Sequence, residues 1–187
     1  MVHDKKHFDK VLSEIGRHLE DTEVSKLAHW NAASVYRKRQ MFFIGLPATI
    51  LSILLTWLLS SDFKSLTEGA DGYSVVLNNI PVIMGLIISL LSGLGTFLNF
   101  NELSVKHRAT AENLHGLWRD CKNWDTDFPD ESMCEKAVHA AQQYRKRLND
   151  INRDAPQIPA WAWKSVQKQK DEGSTAYVIE SSQKKQQ

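Results

Sequence analysis

Residues 41–60, MFFIGLPATILSILLTWLLS, and residues 80–100, IPVIMGLIISLLSGLGTFLNF, decide how this chain folds. No charged residue occurs from Gln40 through Ser61 or from Gly72 through Asn101. About 20 apolar residues suffice for a helix to cross a ~30 Å hydrocarbon core, and each stretch supplies them. Core helices of water-soluble domains seldom run so far without a charge. The sequence therefore predicts an all-α membrane protein built on a two-helix transmembrane hairpin, with spans over about 41–60 and 80–100 and an external loop over 61–79. The bilayer is its first expected partner.

Working outward, the flanks set the orientation. Arg37, Lys38 and Arg39 precede the first span, and Lys106, Arg108 and Arg119 follow the second. The loop from Asp62 to Asn79 holds one lysine, Lys64, against Asp62, Glu68 and Asp71. Cationic loops stay on the cytoplasmic side, so both termini are expected in the cytoplasm, with the protein a multi-pass component of the cell inner membrane. A cleaved secretory signal is not expected, because the first apolar block begins forty residues into the chain, after polar sequence.

The polar arms read as helices. Residues 1–40 form an amphipathic leader: Phe8, Val11, Leu12, Ile15 and Leu19 recur at helical spacing. Val24, Leu27, Ala28, Val35 and Tyr36 continue it after an interruption at Glu20-Asp21-Thr22. Residues 101–170 form a second cytoplasmic helical region. There Leu103, Thr110, Leu114, Leu117, Trp118 and Cys121 carry the helical period on past the second span. A turn is expected near Phe128-Pro129-Asp130, then a helix marked by Ala137, Val138, Ala141, Tyr144, Leu148 and Ile151. Pro156 and Pro159 exclude regular helix between them, and a last short helix is expected from Ala160. Residues 171–187, rich in Ser, Gln, Lys and Glu, read as a flexible tail.

Little in these arms points to chemistry. The net charge of +1 over 187 residues gives no pull toward nucleic acid. His3 and His7 lie one turn apart without a third ligand nearby. Asp125, Asp127, Asp130 and Glu131 lack calcium-loop spacing and read as a solvated turn. Cys121 and Cys134 match no zinc or thioredoxin-type motif. No nucleophile triad or phosphate loop is recognisable, so neither an enzyme nor a metal or other cofactor is expected.

The spans hold the more informative pattern. Gly45, Thr49, Ser52 and Thr56 in the first and Gly85, Ser89, Ser92 and Thr96 in the second share the spacing i, i+4, i+7, i+11. At about 100° per residue these positions fall within roughly 60° of one another, giving each span a stripe of small or hydroxyl-bearing residues. Asn99 extends the second stripe. Such a stripe serves helix packing in lipid, or it lines a pore in a homo-oligomer. The absence of Asp, Glu, Lys or Arg inside either span argues against a proton relay or voltage sensor.

Taken together, the chain resembles the SLATT family (SMODS and SLOG-associating two-transmembrane effector domain) over roughly residues 5 to 170. The residues that carry the likeness are Tyr36-Arg37-Lys38-Arg39 entering the first span and Phe97-Leu98-Asn99-Phe100-Asn101-Glu102 leaving the second. Lys106-His107-Arg108-Ala109, Leu114-His115-Gly116-Leu117-Trp118 and Asn152-Arg153-Asp154-Ala155-Pro156-Gln157-Ile158-Pro159 fit the same layout. The resemblance implies a pore-forming or membrane-perturbing effector of a prokaryotic anti-phage conflict system. It further implies a separately encoded sensor or nucleotide-generating partner as the trigger. The alternative is a non-conducting anchor or scaffold whose cytoplasmic helices bind a partner protein.

Overall fold

The computed structural model describes residues 2–60 and 74–172, so most of the expected loop 61–79 and of the tail 171–187 lies outside it. Every regular element among the described residues is helical. Two helical runs, Lys5–Leu58 and Asn79–Lys122, are long and apolar enough to cross a membrane. The chain divides into two compact units, one of Val35–Leu103 and one of Met1–Ser34 with Ser104–Gln187.

The Val35–Leu103 unit is built on α2 (Leu46–Leu58) and α3 (Ser74–Leu98). Ahead of α2, a single π-helical turn over Gln40–Gly45 continues from α1 (Val2–Arg39). Pro47 accounts for that turn. Its ring nitrogen has no hydrogen to donate to the Phe43 carbonyl, and its ring crowds that carbonyl; widening the preceding turn relieves both. The Leu46 N–H accordingly reaches back to the Met41 carbonyl. Pro47 thus sits in the first turn of α2, within a helical run that continues from α1, and Pro81 lies inside α3, a position the sequence reading passed over. Phe97 is 85% exposed and Leu86 66%, with Ile53 and Phe43 similarly open. An apolar surface of this extent is unfavourable in water and matches hydrocarbon.

The second unit contains the chain up to Ser34, α4 (Phe100–Lys122) from Ser104 onward, the short α5 (Trp124–Asp127), α6 (Cys134–Asp154) and α7 (Ala160–Asp171). One cluster joins Phe8, Val11 and Ile15 of α1 to Trp124, Ala137 and Ala141; another joins Leu114, Leu117 and Leu148. All of these but Trp124 are apolar positions expected from the helical period. The turn at Phe128-Pro129-Asp130 is present, and the Asp130 carboxylate accepts the Ser132 N–H at 2.9 Å ahead of a 3₁₀ turn over Glu131–Met133. Pro159, in extended geometry, caps α7.

Two expectations are corrected. No interruption occurs at Glu20-Asp21-Thr22: α1 is continuous. Thr22 is fully buried with its hydroxyl donating to the His18 carbonyl, while Glu20 lies on the solvent face and pairs with Lys170 at 3.3 Å. The second span does not run smoothly onward either. Asn99 breaks the helix between α3 and α4 with a φ of 45°.

Candidate functional site

The two spans meet along one face and display the hydroxyl stripe on another. On α2, Ile44 just ahead of it is buried, and Ala48, Leu51, Leu55 and Leu58 are half-buried; on α3 the inward positions are Pro81, Met84, Ile88, Leu91 and Gly95. Both sets repeat at alternating three- and four-residue steps, the spacing of a packed helix pair. The backbones approach closely at Gly95, where a Cβ would stand 3.0 Å from Cγ2 of Ile44. Gly45 and Gly85, the glycines of the expected stripe, have no such neighbour: a Cβ on Gly45 would meet only the Gln40 carbonyl oxygen at 3.5 Å, and one on Gly85 nothing within 4 Å.

Thr49, Ser52 and Thr56, with Gly45, are exposed, as are Ser89, Ser92, Thr96 and Asn99; Gly85 alone is half-buried at the seam's edge. On each helix the stripe is rotated by roughly 80–110° from the seam, in the same sense. Ile44, near the start of the first apolar stretch, meets Gly95, near the end of the second. A groove of about 380 Å³ is lined by Ala48, Thr49, Ser52, Ile53 and Thr56 with Ile88 and Ser92. Four of the stripe hydroxyls are internally satisfied. Thr49 donates to the Gly45 carbonyl at 2.8 Å, Ser52 to Ala48 at 2.7 Å, Thr56 to Ser52 at 2.9 Å and Thr96 to Ser92 at 3.1 Å. A hydroxyl bonded one turn back keeps acceptor lone pairs toward the groove and leaves no donor stranded in an apolar medium.

Asn99 plays a backbone role in addition to its place on the stripe. A positive φ is tolerated by Asn far better than by branched residues. Its N–H meets the Gly95 carbonyl at 3.2 Å, its carbonyl accepts the Leu103 N–H at 3.1 Å, and its side-chain amide donates to the Glu102 carboxylate. Asn99 therefore ends α3 and starts α4. Among the orientation residues, Arg37, Lys38 and Lys106 are exposed; Arg39 lies 5.9 Å from the Tyr36 ring, and Arg108 pairs with Glu112 at 2.9 Å.

The sequence reading missed a polar cluster in the other unit. Lys26, 5% exposed, holds its ammonium 3.8 Å from the centre of the Trp118 ring, and burial lowers its pKa. His115 stacks on Trp118 at 5.8 Å. His29 and His107, buried on facing helices, bring their Nδ1 atoms to 2.8 Å. A signal was present: His29 lies between Lys26 and Ala33 at the same three- and four-residue steps as its buried neighbours, and His107 precedes Thr110 and Leu114 likewise. Burial holds the Cys121 thiol up at about 11, which makes it a poor nucleophile. Among the described residues no group of three His, Cys, Asp or Glu side chains is placed to hold a metal ion.

No family model, no curated protein and no solved structure matches the chain.

Proposed function

We propose that the chain crosses the cell inner membrane twice as a helical hairpin with both termini cytoplasmic, and that copies associate into a homo-oligomeric pore. Thr49, Ser52, Thr56, Ser89, Ser92 and Thr96 line or border the lumen. The observation that carries this reading is that the stripe hydroxyls are exposed, clear of the packing seam, with Thr49, Ser52, Thr56 and Ser92 bordering one groove. A lone pair would turn that polar face to lipid, whereas a ring of copies turns it to water or to a neighbour. The resemblance to the SLATT family supports the biological setting: an effector that permeabilises the membrane of an infected cell once a separately encoded sensor or nucleotide-generating protein is triggered.

A second reading is favoured by one observation, the intrahelical bonding of the stripe hydroxyls, which leaves them tolerable against lipid without any pore. On that reading the spans are an anchor and the cytoplasmic helices bind a partner protein. Purified protein in liposomes loaded with a small self-quenched dye separates the two. Release, spontaneous or on adding a cyclic or linear oligonucleotide or the partner, is expected of the pore; retention under every condition, with insertion verified, sinks it.

A further inference from the structure

Two buried imidazoles facing each other through like atoms can hold only certain protonation states. His29 on α1 is 2% exposed and His107 on α4 is 1% exposed, with their Nδ1 atoms 2.8 Å apart and ring centres 5.0 Å apart. At that distance one Nδ1 carries the proton and the other accepts it. The accepting ring is then neutral, with its proton on Nε2. The donating ring can be neutral or cationic. If both rings are cationic, two N–H groups point at each other inside a packed interface, and the contact cannot survive.

We propose that His29 and His107 form a proton-operated latch between α1 and α4, closed while the pair carries at most one excess proton and opened by the second. The latch sits on the two helices that continue in sequence into the apolar spans, eleven residues before Gln40 and eight after Asn99. A second clasp on the same helices, the Ser104 hydroxyl donating to the Ala33 carbonyl at 2.9 Å, does not titrate.

On α1 the nearest buried charge is Lys26, itself cationic, with Glu23 beside it on the half-buried edge. On α4 the buried neighbours Ser104, Thr110 and Ala111 are uncharged, and Lys106 and Arg108 flank His107 on the exposed side, Arg108 engaged with Glu112. From α7, Ser165 and Gln169 reach Asn31 of α1, and Lys170 reaches Glu20. Burial, together with its partner ring, lowers His29 to about 4, and burial lowers His107 as well. Such groups take up protons more readily in the unfolded chain, so stability is complete above about pH 6.5 and is lost as pH falls toward 4.

The latch stands independently of the pore, and its test reads no conductance. The full-length protein in detergent micelles is unfolded thermally between pH 7.5 and 5, a window above most carboxylate titrations. The midpoint is expected to fall by roughly 4–8 °C on acidification, and a His29→Gln/His107→Gln variant, which keeps an amide pair but cannot titrate, is expected to lose most of that dependence. A flat wild-type profile, or an equal fall in the variant, overturns the latch. Should the variant fail to fold, ¹⁵N-histidine spectra of the wild-type protein decide. An accepting ring that stays neutral with its proton on Nε2, and no more than one cationic ring in the folded protein above pH 5, uphold the latch; two rings both becoming cationic near 6.5 in the folded protein overturn it.

Discussion

At the scale of single residues, Asn99 and Gly95 are tied most tightly to their places. Asn99 holds a φ of 45° and donates its side-chain amide to the Glu102 carboxylate, so two separate demands meet in one side chain. Replacement by Val places a branched residue in the left-handed region and removes that exposed hydrogen bond, for a combined cost of about 2 kcal/mol. Asn99→Gly keeps the backbone freedom and costs only a few tenths. Thermal midpoints in detergent should order wild type and Asn99→Gly close together and Asn99→Val several degrees lower; equal midpoints for Gly and Val would show that the φ constraint is absent. The same geometry makes Asn99→Asp a poor probe of ion preference, because a second carboxylate would face Glu102 and disturb the joint itself. Gly95 gives a sharper contrast. A methyl group there meets Ile44 at 3.0 Å, whereas Gly85 and Gly93 have open space. Gly95→Ala should destabilise the helix pair by about 1–2 kcal/mol, relieved by pairing it with Ile44→Ala, and Gly93→Ala should be neutral or mildly stabilising.

At the scale of helices, a packing seam and a hydroxyl stripe lie side by side on α2, and their residues interleave in sequence. Leu51 and Leu55 belong to the seam; Ser52 and Thr56, one position later, belong to the exposed face. Leu51→Ala or Leu55→Ala should therefore weaken the α2–α3 contact by about 1–2 kcal/mol, since each removes half-buried packing, while Ser52→Ala and Thr56→Val should change it by a few tenths. The reverse ranking, read from detergent unfolding of the monomer, would mean that the stripe is the contact. The charge-free stretches 41–60 and 80–100 made the apolar helices legible from sequence, because hydrocarbon imposes a length and a composition that few other demands mimic. The core positions Phe8, Val11, Ile15, Leu114 and Leu148 were legible for a similar reason: one buried face imposes one period. The seam was harder to see. Within a span nearly every residue is apolar, so hydrophobicity no longer marks which face is inside, and the small residues that catch the eye need not be the ones in contact. The continuity of α1 through Glu20-Asp21-Thr22 was hidden because two acids on the solvent side and a buried Thr bonded to His18 look, in sequence, like a turn. The joint at Asn99 and the widened turn ahead of Pro47 depend on where a helix must bend, a tertiary demand that helical periodicity does not carry. His29 and His107 escaped because neither position marks the other until the helices are folded together.

For the molecule as a whole, topology and assembly are separable questions. A cysteine at Gly69 should react with a membrane-impermeant maleimide on intact cells, and one at Ser182 should not, if both termini are cytoplasmic. The background must first lose Cys121 and Cys134, of which the buried Cys121, its thiol held up at about 11, is the slower to react. Labelling at Ser182 with protection at Gly69 would invert the topology. Assembly is tested on the hydroxyl face, where the pore and packing readings diverge. Ser92 and Thr96 are exposed, and Ser92 borders the groove with Thr49, Ser52 and Thr56. In a pore, Ser92→Leu or Thr96→Leu narrows and dewets the lumen: dye release should fall at least tenfold while the oligomer seen by light scattering stays the same size. If the face is instead the contact between copies, a bulky side chain forces helices apart, and the oligomer should shrink toward the 21.3 kDa chain together with any activity. The seam is turned elsewhere, so neither variant should unfold the helix pair, and an intact far-ultraviolet helix signal is the control. If oligomer and release both persist through Ser92→Leu and Thr96→Leu, the face touches neither water nor a neighbour, and the conducting path lies on another surface of the spans.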